Sequence, residues 1–169
     1  MAAGSTYTPI ATTTLTATAG IITFSSIPSI YTDLILIVQG KFDVAGDLRY
    51  RLNNDTSTNY SFTILYGTGS SNGSARSSSV SSGIGDSYGN IDTTLGNSVQ
   101  ILQFLNYSNT TTYKTSLVRS NNASGGVDAL VNLWRSTSAI NQIDLAKNSS
   151  MSGTWQIGST VTLYGIAAA

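Results

Sequence analysis

The chain has no histidine, no cysteine and no glutamate, so each of its 8 acidic residues is an aspartate. Without cysteine there is no disulfide, and without cysteine or histidine no Cys/His zinc site can form. Without histidine the usual proton carrier near neutral pH is missing, and acid–base catalysis would fall to Asp, Tyr or Lys alone. Charge of either sign is scarce. Only 9% of the residues are charged, against about 25% in an average domain. The 8 basic and 8 acidic residues cancel. No cluster of Lys and Arg is present to displace counterions from phosphates, so nucleic acid is not an expected partner. The longest purely apolar run, Leu34 to Val38, falls far short of the roughly 20 residues that cross a bilayer as a helix. The opening "MAAGSTYTPI" has neither the basic nor the apolar region of a signal peptide. A protein made in a cytoplasm, with no membrane partner and no cofactor, is the expectation.

What the chain does have is Ser, Thr, Val, Ile and Tyr, residues that suit a pleated, half-buried surface. At 169 residues it is read as one domain over 1–169, burying about 70% of its unfolded surface. No window sustains a helical apolar stripe. Short runs of period two, bounded by Gly, Asn, Asp and Ser, recur instead. They predict strands near Ile10–Ala17, Ile21–Ser25, Leu34–Gln39, Leu48–Asn53, Tyr60–Tyr66, Val99–Tyr107, Tyr113–Arg119, Val127–Trp134, Gln142–Leu145 and Ser159–Ile166. Many short strands with frequent turns give an all-β fold, a sandwich or a barrel. "LILIV" at 34–38 is apolar on both faces, as expected of a central strand covered on both sides. Residues 67–97, "GTGSSNGSARSSSVSSGIGDSYGNIDTTLGN", break the rhythm and are expected to be a long Gly/Ser-rich loop that a neighbouring subunit orders. Residues 1–9 read equally as an N-terminal arm or as the start of the first strand.

Several motifs invite a chemical reading. "GSSNG" (Gly69–Gly73) matches the nucleophile elbow G-x-S-x-G, but no helix and no histidine base accompany it. "GTGSSN" fails the dinucleotide fingerprint at its last position. Asp43, Asp47, Asp55, Asp86, Asp92 and Asp128 lie in or near expected loops, where short carboxylates usually cap their own backbone. They leave a catalytic pair, or a calcium site made from "DVAGD" and "NNDTSTN", as minor readings. Tyr residues with Trp134 and Trp155 could stack on a sugar, or pack a core. The polar knot at 53–59 between two alternating stretches is read as a hairpin turn.

Three segments resemble small virion proteins of tailed bacteriophages, including phages of cyanobacteria. The first is "FSSIPSIYTDLILIV" (24–38), with Ile27, Pro28, Tyr31, Asp33 and Leu34. The second is "LRYRLNNDTSTNYSFTILYG" (48–67), with Asn53, Asp55, Asn59, Tyr60 and Ser61. The third is "GSTVTLYGIAAA" (158–169), with Val161 to Ile166. The resemblance implies an antiparallel, jelly-roll-like β-sandwich, usually trimeric. It also implies a place in the virion, as a capsid decoration (cement) protein or as a tail-fibre domain, and it marks no catalytic residue. The expected partners are further copies of the chain and the major capsid protein, with a host-cell sugar receptor only for a fibre domain. Tyr7, Pro9, Ile10, Arg76 and Tyr88 are the expected capsid or subunit contacts.

Overall fold

A computed structural model of the chain describes residues 6–88, 90–148 and 150–167, and among them there are strands, turns and loops but no helix. In chain order the strands are β1 (Tyr7–Thr14), β2 (Ile22–Phe24), β3 (Asp33–Gln39), β4 (Leu48–Leu52), β5 (Tyr60–Gly67) and β6 (Asn72–Val80). They continue with β7 (Gly83–Ile84), β8 (Ser98–Leu105), β9 (Lys114–Asn122), β10 (Val127–Trp134), β11 (Ile143–Lys147) and β12 (Thr160–Ile166). Eight form one sheet, in the order β1-β12-β3-β8-β9-β10-β5-β6, and four form a second, β2-β11-β4-β7. Every pairing is antiparallel. The two sheets make a sandwich, an order compatible with a jelly roll.

The alternation that predicts the strands also places the core. Leu34, Leu36 and Val38 of β3, Leu102 and Phe104 of β8, and Val161 and Leu163 of β12 point inward. Ile22, Phe24, Tyr50, Leu52 and Leu145 of the small sheet join them in the core cluster. Trp155, fully buried in the turn before β12, donates from Nε1 to the Leu145 carbonyl at 3.1 Å and packs on Phe42 with ring centres 4.4 Å apart. Truncating a ring so placed would cost about 3–5 kcal/mol. Two polar groups that enter the core are paired across the sheets. Tyr50 Oη and Ser116 Oγ lie 2.7 Å apart. The Asn132 side chain mimics a strand edge for β7, accepting from Ile84 N at 2.9 Å and donating to Ile84 O at 3.1 Å.

Three expectations are corrected. Residues 67–97 are not one loop: after the turn Thr68–Ser71, in which Gly69 takes φ +81°, β6 pairs with β5 along its length, and β7 follows. The knot at 53–59 is not a hairpin, because β4 and β5 belong to different sheets. It is a corner between layers, entered by Asn53 and Asn54 at φ 53° and 58°. The N-terminal arm is also revised. Residues 1–5 lie outside the described residues, whereas Tyr7, Pro9 and Ile10 belong to β1, which pairs with β12 of the same sheet. Ile10 packs against the chain's own core.

Candidate interaction surface

The corner at 53–59 takes up its own oxygens. Asp55 accepts from Trp134 Nε1 at 2.7 Å, Ser57 N at 2.8 Å and Asn59 Nδ2 at 2.9 Å. Asn53 donates to Ala139 O and accepts from Asn141 N and Gln142 N, tying down the 139–142 loop. Tyr60, fully buried, accepts from Leu52 N and stacks on Trp134. Burial raises the Asp55 carboxyl, but the donors outweigh it, and the group sits below the ordinary carboxylate value. The corner is a structural hub.

The other aspartates are similarly engaged. Asp43 pairs with Lys147 at 3.1 Å and Asp47 with Arg49 at 2.9 Å. Asp128, on β10, accepts from Ser87 N, Tyr88 N and Ser120 Oγ, pinning the loop after β7. Asp92 accepts from Thr94 N and Asn97 Nδ2. Asp86 is wholly buried and accepts from Leu48 N at 2.7 Å. Among the described residues no three His, Cys, Asp or Glu side chains are grouped to hold a metal ion. "GSSNG" lies in the β5–β6 turn and the start of β6. Trp134 and Trp155 are both buried, so neither offers a ring to a sugar.

The segments that carry the phage resemblance meet one another. The Tyr31 ring lies over Gly165, where a Cβ would come within 2.3 Å of it. Asp33 accepts from Asn106 N at 2.8 Å and Gln103 Nε2 at 3.3 Å. Tyr107 Oη donates to the Pro28 carbonyl. These residues fasten the end of the large sheet.

The two outward faces differ in chemistry. On the small sheet, the outward row is polar: Thr23 donates to Asp144 at 2.7 Å, and Arg51 sits opposite Asp144 in register. On the large sheet, the apolar outward residues of the central strands are Ile35 and Ile37, Val99 and Ile101, Leu117, then Val127 and Val131, and finally Leu65. Leu65 is 62% exposed, Val127 58%, Val131 49% and Leu117 45%. An antiparallel sheet with one solvated face normally alternates apolar inside with polar outside. Here the outer face is largely apolar too, with Gln103 and Arg119 set into it. It forms a concavity of about 630 Å³, lined by Ile35, Ile101, Leu117, Val131 and Leu65 with Gln103 and Arg119 among them, and by Tyr7 and Ile166 at one end. Patches of this kind mark interaction sites.

Of the residues expected at an interface, Tyr7 reaches this concavity, and Arg76 stands on β6 at the far edge of the same sheet. Tyr88 is elsewhere, stacked on Tyr66 with ring centres 3.6 Å apart, and Pro9 lies along the β1 edge. The apolar outer face was missed because a doubly apolar strand such as "LILIV" reads as buried on both sides. The outward Arg119 and Arg135 gave no signal of their own. No protein-family model matches the chain, and no curated protein matches it in sequence.

Proposed function

We propose that the protein is a structural component of a virion, a decoration (cement) subunit that lays the outer face of its large sheet on the capsid. The observation that carries this reading is that face: a largely apolar concavity across the central strands, which no described residue covers. The resemblance of residues 24–38, 48–67 and 158–169 to small phage virion proteins supplies the setting. The distribution of charge agrees, because aspartates tied into internal bonds leave no acid–base pair poised for turnover. Subunits associate as a homotrimer, meeting through the loop that follows β7, where Tyr88 and Leu95 are exposed. A fibre domain that binds sugar has less support, since both tryptophans are buried.

The test is reconstitution. Purified protein added to heads that lack it should bind at regular lattice positions seen by electron microscopy, and should raise the temperature at which those heads open. Binding to tails, or to host-cell polysaccharide in place of heads, would overturn the assignment.

A further inference from the structure

The large sheet ends at β1 and β6, and the two ends are not equally open. Pro9 removes a donor from β1, and the pairing of β1 with β12 is broken by a bulge between Pro9 and Ala11. Both features discourage the addition of another strand. Along Asn72–Ser78, β6 has no proline, and its pairing with β5 is regular as far as Ser78. Most of its side chains are exposed, and no backbone hydrogen bond joins its outer rim to another described residue.

Just inside this edge lies a concavity of about 480 Å³ walled by Arg76, Arg135, Ser61, Ser78, Val131 and Leu133. Arg135 donates to Ser61 Oγ at 3.1 Å and, more weakly, to Asn59 O at 3.5 Å. Arg76 makes no hydrogen bond or ion pair with a described residue. No carboxylate lines the wall. Two guanidiniums and the hydroxyls of Ser61, Thr63, Ser77 and Ser78, beside Val131 and Leu133, match a carboxylate held by Arg forks. A second copy of the chain is a poor source of that carboxylate. Its Asp43 and Asp47 are ion-paired, its Asp33, Asp55, Asp92, Asp128 and Asp144 accept internal bonds, and its Asp86 is buried. Face to face, two copies would set arginine against arginine, which is unfavourable.

We propose that β6 is the docking edge for an extended acidic segment of a different protein, which adds as a ninth strand and places an Asp or Glu carboxylate against Arg76, at the rim of the concavity that Arg135 shares. Strand alternation carries every second side chain of the incoming segment onto the outer face, beside Ser74, Arg76 and Ser78. Backbone pairing would supply affinity, and the arginine concavity would supply the choice of side chain. The inference rests on the outer face being a docking surface, and it names the chemistry of the partner.

The probe is a peptide about ten residues long, enough to span β6, in which Asp alternates with Val. A second peptide with Lys for Asp and a glucuronate oligosaccharide complete the set. The acidic peptide should bind the full-length protein and slow amide exchange along β6. Affinity should fall at least about tenfold in Arg76→Glu, the loss of one charge-assisted hydrogen bond, and by less in Arg135→Glu, which reverses a charge farther from the added strand. Arg76→Gln should show the same loss without a reversed charge, and Lys41→Glu should bind as the parent does. Equal binding of the lysine peptide, binding without protection of β6, no binding at millimolar peptide, or binding of glucuronate alone would each overturn the proposal. Heads that fail to bind the protein while the peptide behaves as expected would sink only the virion reading. Heads decorated normally by Arg76→Glu and Arg135→Glu, with no peptide bound, would sink only this one.

Discussion

At Asp55 a single carboxylate gathers an indole, an amide and a backbone N–H, and through Trp134 it joins the corner to the last residue of β10. Asp55→Ala leaves the indole of Trp134, itself only 4% exposed, without its acceptor, and should cost about 1–3 kcal/mol in urea unfolding at neutral pH. The folded carboxyl titrates below its ordinary value. Its contribution is therefore present above the unfolded pKa and lost as pH falls through the folded one. The difference between parent and variant should shrink in acid. Asp86 works in the opposite sense. Burial pushes its carboxyl well above the ordinary value, and only the bond from Leu48 N opposes this strongly. A raised folded pKa gives stability that is complete below the unfolded value and declines as pH rises toward the folded one. Asp86→Asn should therefore flatten the fall in stability above about pH 4, whatever its constant offset. An unchanged slope would mean that Asp86 stays charged in the fold.

Strands with regular alternation were legible from the sequence, and those without it were not. In β8, β9 and β10 buried and more exposed residues alternate along the strand, although in β10 the apolar Val127, Ala129, Val131 and Leu133 are the outward set. β6 was invisible because "NGSARSSSV" offers no apolar face. It is a strand because Gly73 to Ser78 register against Ser61 to Tyr66, not through its own propensity. The β4–β5 connection shows a second limit. Two asparagines at positive φ look like a hairpin turn, yet alternation says which face a residue takes and not which strand is its partner. "LILIV" shows a third, for Leu34, Leu36 and Val38 enter the core while Ile37 is 36% exposed. Both faces are apolar as read, but among the described residues nothing covers the second. Of the candidate contacts, Arg76 stands on β6. Its companion Arg135 was not legible in the sequence, since only the fold brings residues 76 and 135 to one concavity.

At the scale of the whole molecule, the sandwich has one polar outer face, one apolar outer face and one open edge. Net charge is zero and the isoelectric point is near 6.0, so little long-range repulsion keeps such a surface from its partner. If the apolar face is the side laid on the capsid, its exposed side chains contribute to attachment and not to folding. Replacing Leu117 and Val131 together by Asp, two residues side by side in register on β9 and β10, separates these roles. Each is about half exposed, and surface substitutions of that kind usually shift stability by no more than about 0.5 kcal/mol apiece. The double variant should unfold in urea within about 1 kcal/mol of the parent and sediment as the same oligomer, yet fail to decorate heads. Dissociation to monomers would make the face a subunit interface. A loss of several kcal/mol would show that the chain covers the face itself in solution, and either result would remove it as the capsid-binding side.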